Sequence, residues 1–317
     1  MLMSIYGDCP KGPAMKNYTA ELFSSEKYKL AESPFYDPRT QTLSWVDIPE
    51  GKFYTQQLEQ GNPSAPRVYN LGQAIGSAVP AQKEGSYIIA GTTGLFKVDG
   101  PIAPTSSAGT PEQSPKLIRS LTEYFESYQR SNDAKADPAG RLWFGSSVDD
   151  DIHEASGNLF CLDPLDGGKI TCRQPDTKIS NGMAWSHDHK KFYFSDSLQY
   201  AVFSYDYDLA TGTLSNRQVL FQAQDGVTDG LCIDSEDNLW VAFWGGSRIE
   251  HRSGKEGTLL GTISVDAKNV TSCCFMGTQL DTLFITTSGN GQSGPHDGCL
   301  FTCKVDVKGC GCDYCKL

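Results

Sequence analysis

Four stretches of the chain repeat one phrase, and this repetition limits the possible fold more than any other property of the sequence. Glu32-SPFYDPRTQTLSWVD, Asn132-DAKADPAGRLWFGS, Asn181-GMAWSHDHKKFYFSD and Asp229-GLCIDSEDNLWVAFW each open on a carboxylate or an amide. A small or apolar stretch follows, then an Asp-containing polar turn, then an aliphatic-aromatic strand. Weaker copies around Ser77 (SAVPAQKEGSYIIAG) and Ser272 (SCCFMGTQLDTLFITT) bring the series to six. They recur roughly every 45 to 55 residues, a period that belongs to circular or stacked repeat folds.

Each aromatic strand is followed by a second apolar piece, as in GKFYTQQL, GLFKVD and GNLFCLD, so the pattern reads as strand pairs joined by tight turns. No long segment keeps a helical period, although LIRSLTEYFESYQR (117–130) is expected to form one short helix or turn. The fold class is therefore all-β. Closure into a six-bladed β-propeller accommodates the repeat length and strand count while leaving no long open sheet edge. One array accounts for most of the 317 residues. The expected organisation is an N-terminal extension over 1–27, the propeller over 28–309 and a Cys-rich tail over 310–317.

In a propeller the innermost strand of each blade runs along the central channel, so equivalent positions of successive blades ring that channel. Counting back from the aromatic strands lands on Glu32, Gly76 or Ser77, Asn132, Asn181, Asp229 and Ser272. Two carboxylates and two amide oxygens converging there offer hard ligands to a divalent cation, a metal site in the channel. Without a cation, paired carboxylates raise each other's proton affinity. Asn181-Gly182 and Asp229-Gly230 also read as ordinary turn formers. Turn chemistry does not select Glu at the same repeat position, however, and this favours the site.

Other residues receive structural roles. Asp37, Asp137, Asp188, Asp234 and Asp237 fall in blade turns, and Asp47 and Asp196 end strands. His153, His187, His189, His251 and His296 lack metal-ligand spacing and are expected at the surface or in loops. No Gly-x-Ser-x-Gly, phosphate loop or dinucleotide fingerprint supports another chemistry. The net charge of -11 argues against a nucleic-acid partner. No window approaches the roughly 20 apolar residues of a membrane span. The N-terminus lacks the pattern of a secretory signal, so a cytoplasmic setting is expected. Most of the eleven cysteines are expected as reduced core residues. The dense Cys310-Gly311-Cys312-Asp313-Tyr314-Cys315 run raises a metal or disulfide alternative to free thiols.

At these residues the chain resembles the senescence-marker-protein (regucalcin), gluconolactonase and luciferin-regenerating-enzyme family, over roughly residues 28 to 309. AESPFYDPRTQTLSWVDIP is similar to the family's GESP-to-VDIP opening, and RSNDAKADPAGRLWFGSS to its RFNDGKxDPAGR segment. ISNGMAWS through DYDLATGTLSNR and VTDGLCID through WGGSRI match two further family segments. The resemblance implies one divalent metal ion (Ca, Zn, Mg or Mn) held by Glu32, Asn181 and Asp229, with Asn132 close to it or to substrate. It implies a small-molecule sugar lactone as substrate, Asp229 activating water while the cation polarises the carbonyl. Arg130, Asn132 and Asp150, with Asp149 as the alternative to Asp150, would hold substrate hydroxyls. Three departures are Asn132-Asp133-Ala134 for Asn-Asp-Gly, Thr228-Asp229-Gly230 for Pro-Asp-Gly and Gly145-Ser146-Ser147 for Gly-Thr-Met. They bear on which sugar is taken. Two alternatives stay open: a calcium-binding regulatory protein without major catalysis, and a metal-dependent esterase or phosphotriesterase.

Overall fold

The computed structural model describes residues 15–59, 62–99, 115–148 and 157–317. Six sheets of four or five strands form a six-bladed β-propeller. The innermost strands are, in order, Ala31–Asp37, Ile75–Pro80, Gln129–Ala136, Ser180–Trp185, Val227–Ile233 and Asn269–Met276. We number the blades 1 to 6 from these strands.

The second strand of each blade is buried on both faces, and alternation sends successive side chains into opposite seams. In blade 3, Leu142 and Phe144 pack against blade 2 while Trp143 packs against blade 4. In blade 5, Trp240 enters the seam with blade 6, and Leu239, Val241 and Phe243 enter the seam with blade 4. This double burial is why the strands read as nearly unbroken apolar runs. Each neighbouring pair of blades encloses its own apolar cluster, so the core is a set of six seams around a polar axis.

The recurring Asp of the blade turn ties the turn to the aromatic strand. Asp137 Oδ1 accepts the backbone N–H groups of Ala139 and Arg141, both at 2.9 Å, and Oδ2 accepts Trp143 Nε1–H at 3.0 Å. Asp234 repeats the arrangement with Glu236, Asn238 and Trp240 at 2.9, 3.0 and 3.0 Å. At strand ends, Asp47 accepts the N–H groups of Lys29 and Leu30, and Asp196 those of Lys178 and Ile179. These acids orient the chain as it enters an inner strand.

Two features depend on pairing between distant parts of the chain. Glu21–Ser24 pairs with Leu300–Lys304 as the fourth strand of blade 6, and Lys16–Thr19 adds a parallel strand to Leu259–Ser264 of blade 5. Residues 16–24, inside the 1–27 segment set apart above, are thus strands of the propeller sheets. The 310–317 tail is also fixed. Cys315 N–H donates to Pro80 O at 3.0 Å, Gln82 N–H donates to Cys315 O at 2.7 Å, and the Cys315 side chain is buried between blades 2 and 3. Arg39 stacks on the Tyr314 ring at 3.5 Å.

Of the short helix or turn expected over 117–130, the turn is what forms. Lys116–Ser120 pairs with the edge of blade 2, and the chain then turns tightly, the N–H groups of Tyr124 and Phe125 both donating to Leu121 O. Sheet pairing at an available edge claims the first residues of the segment and leaves too few for a stable helix.

Inner strands approach one another closely. A Cβ on Gly182 would lie 2.5 Å from Leu231 N, with backbone on the far side unable to retreat. Gly182→Ala is therefore expected to destabilise the protein by about 1–3 kcal/mol. Gly311→Ala, where an added Cβ meets nothing within 4 Å, should change stability by less than about 0.5 kcal/mol. Denaturant midpoints compare the two.

Candidate active site

Every inner strand carries a register shift at the leading repeat position. The shifts fall between Glu32 and Phe35, Ile75 and Ser77, Ser131 and Ala134, Ser180 and Met183, Thr228 and Leu231, and Val270 and Ser272. A bulge of this kind bends the strand and re-aims the residue within it. Asn181 and Asp229 therefore lie in bulged strands, where Gly182 and Gly230 permit close approach to the next blade, and not in turns.

The bulges bring Glu32, Asn132, Asn181 and Asp229 together as buried residues. Asn181 Nδ2–H donates to Asp229 Oδ1 and, at 3.1 Å, to Ser197 Oγ. Asn132 Nδ2–H donates to Ser180 O at 2.9 Å, and Arg130 Nη1–H donates to Asn132 Oδ1 at 2.7 Å. Glu32 Oε2 accepts Ser33 N–H at 2.9 Å. Asp149 and Asp150 lie outside the described residues.

Asp133 is a third buried acid at this site, and sequence reasoning missed it. Strict alternation puts it on the face opposite Asn132, but the bulge between Ser131 and Ala134 breaks that alternation. Its acidity beside the leading Asn was the available signal. Burial, then the charges of Asp229 and Asp133, pushes the Glu32 carboxyl well above the usual range, with Ser33 N–H and Arg130 opposing. Burial and Asp133 also push Asp229 well above its usual value, against the Asn181 and Gly230 hydrogen bonds. Asp133 itself is raised by burial, opposed by Lys135.

Three acids in one buried place form an incompletely neutralised site. Beside them Asn181 Oδ1 is buried without a hydrogen-bond partner. An orphaned acceptor next to repelling carboxylates is the chemistry a hard cation relieves, so these residues fit a divalent ion. A metal site in the channel is not itself shown. Among the described residues, no three His, Cys, Asp or Glu side chains gather closely enough to chelate an ion by themselves. A complete ligand set thus needs amide oxygen as well as carboxylate.

Residues 30–289 match the family model described as SMP-30/Gluconolactonase/LRE-like region. The chain belongs to the SMP-30/gluconolactonase/LRE-like family. Among its relatives, regucalcin of Danio rerio is 32% identical over 310 residues, covering 93% of this chain and 97% of its own length. Regucalcin of Homo sapiens is 31% identical over 289 residues, covering 88% and 89%. A luciferin-regenerating enzyme structure is 29% identical with a TM-score of 0.83, over 94% of this chain and 99% of that one. A calcium-binding protein, regucalcin, from Agrobacterium tumefaciens has a TM-score of 0.82 at 22% identity, over 97% and 100%, and shares the fold. The SMP-30/gluconolactonase/LRE-like match spans the ring from Glu32 to Asp229 and ends before the 310–317 tail.

The charge balance gives a test. A carboxyl raised in the folded state binds its proton more tightly there than in the unfolded chain. Its stabilising contribution is complete below the unfolded value near 4 and is lost as pH rises through the folded value. In chelator, Asp229→Asn is expected to melt above the parent protein by roughly 2 °C or more, about 1 kcal/mol for a domain of this size. That gap should widen as pH rises from about 4. Thermal melts across pH with chelator check both the sign and the trend.

Proposed function

We propose that this chain hydrolyses sugar lactones, such as gluconolactone, to the aldonic acids with the help of one divalent cation. The observation that carries the reading is the buried ring in which the unpartnered Asn181 Oδ1 stands beside Asp229 and Glu32. Glu32, Asn181 and Asp229 would hold the ion, with Asn132 next to it or to substrate. When bound, a divalent cation supplies Lewis-acid polarisation of an ester carbonyl. Which ion serves is part of the test, because an oxygen donor set admits several.

The chain's own groups account for the remaining chemistry. Arg130, held on Asn132 Oδ1, provides donors that suit the hydroxyls of a polyol ring. Asn132 is itself braced on Ser180 O, so this part of the wall is positioned before substrate arrives. Asp229 would orient the attacking water and accept its proton through a carboxylate oxygen left free of the ion, because a cation on the same oxygen lowers its proton affinity. Asp150, with Asp149 as its alternative, remains part of the proposed hydroxyl-binding set. A cation-binding regulatory protein would use the same ring, but a guanidinium beside it opposes cation binding and serves a substrate. The reading includes a cytoplasmic setting, in which the thiols stay reduced.

Lactone hydrolysis followed by pH-stat should fall on chelation and return on adding back Ca, Mg, Mn or Zn. Asp229→Ala and Glu32→Ala should each lose on the order of 10²-fold or more in kcat/KM. Turnover unchanged by either substitution would remove the site assignment. Faster hydrolysis of simple esters or phosphotriesters than of lactones would replace the substrate class.

A further inference from the structure

At the mouth of the channel opposite the ring, the tail carries a cysteine into a built polar relay. Cys310 Sγ lies 2.7 Å from His187 Nε2, and His187 Nδ1 lies 2.6 Å from Asp237 Oδ1. Asp237 also accepts His187 backbone N–H at 2.9 Å, so the imidazole is held from two sides. With Nδ1–H donating to the carboxylate, Nε2 is left as the acceptor facing the thiol, the arrangement of a nucleophile, a base and a group that orients the base. The thiol is fixed by its own segment. Downstream of it, Cys312 Sγ meets Tyr36 O at 3.5 Å, Tyr314 OH donates to Asp37 Oδ1 at 3.1 Å, and Cys315 is bonded to the Pro80–Gln82 backbone.

Beside this relay is a cavity of about 180 Å³, lined by Cys310 and His187 and by Phe35, Trp185, Phe275, Cys232 and Cys274. Its wall is aromatic and sulfur-rich, a soft and polarizable surface. Most of the lining residues come from the far ends of the inner strands, about 7–13 Å of strand beyond the ring. His187 and Asp237 are open to solvent, and Cys310 is itself partly exposed at the cavity wall.

We propose that Cys310, with His187 as its base and Asp237 orienting that base, is a nucleophilic thiol that undergoes exchange with small disulfides entering this cavity. As Cys310 sulfur attacks one sulfur of R–S–S–R, its proton passes to His187 Nε2. The R–S–S–R bond breaks, the Cys310–S–S–R bond forms, and the departing RS⁻ takes the proton and leaves as RSH. One disulfide replaces another, so no further oxidant is needed. Burial first, then the Asp234 carboxylate, pushes the Cys310 thiol up to about 12. The sulfur therefore rests as a thiol, and its proton moves as the new bond forms, as in hydroxyl–imidazole relays. Reactivity then depends on His187, and this dependence is the discriminating property.

Cys172, an exposed cysteine on an outer strand, is the internal control. The intact chain is treated with limiting 4,4′-dithiodipyridine, and labelling of each cysteine is followed by peptide mass mapping. Cys310 is expected to react at least tenfold faster than Cys172. His187→Gln and Asp237→Asn should each slow Cys310 about tenfold and leave Cys172 unchanged, in proteins whose melting matches the parent. Reaction of Cys310 no faster than Cys172 in the unsubstituted chain overturns the proposal. So does an unchanged Cys310 rate in His187→Gln. The first comparison needs no variant, and neither depends on lactone turnover.

Discussion

Six inner strands that begin side by side around one axis leave space there for backbone and small side chains and for little else. Gly76 approaches the Ser131 and Asn132 backbone, Gly182 that of Leu231, and Gly230 the Ser272 side chain, each at distances no Cβ could share. The bulges follow from the same crowding. A regular strand alternates its side chains between the two seams, whereas a bulged one can direct a polar residue toward the axis. The apolar seams, the blade turns and the polar ring are thus consequences of one packing problem solved six times.

The ring pays no part of the cost of its own assembly. Glu32, Asp133 and Asp229 are buried together, and each is driven toward its protonated form by burial. Stability comes from elsewhere, from seams such as the one in which Trp143, Trp185, Phe192 and Tyr207 pack ring against ring. At the ring Asn181 Oδ1 is left without a partner beside these acids, whereas in the blade turns Asp137 and Asp234 fill their acceptor positions. An unmet acceptor beside mutually repelling carboxylates is the kind of local inconsistency that marks a functional site.

The parts legible in sequence are those fixed by short-range periodicity. Short aliphatic-aromatic runs marked the blades, and the Asp-containing polar stretches marked the turns, because both are settled within a dozen residues. The leading position was legible because it repeats. Asp133 was not, since whether a bulged residue faces the axis depends on a register shift that leaves no local pattern. Asn181-Gly182 and Asp229-Gly230 carried the dipeptide signature of turns, but the glycines serve close strand approach. Over 117–130 the pattern left a short helix and a turn both open; residues 116–120 pair with Gly94–Asp99, and the turn follows them. The strands of 16–24 find their partners more than 240 residues away, a separation no repeat count reveals.

The 310–317 tail extends the same lesson to the opposite mouth. Its cysteines are dense in sequence, which invites a reading in which they bind or oxidise one another. All ten described cysteines are free, and Cys310, Cys312 and Cys315 turn to different partners: His187, Tyr36 and the Pro80–Gln82 strand end. Density along the chain therefore says little about proximity of the sulfurs, because an extended segment crossing several blades sends successive side chains to successive surroundings. The propeller presents those surroundings in a circle. An unrepeated segment laid across it can join groups from different repeats, here His187 of blade 4 and Asp237 of blade 5, into an arrangement that neither repeat contains. The repeated elements thus build two mouths of one channel, and the identity of each mouth rests on the few residues that depart from the repeat.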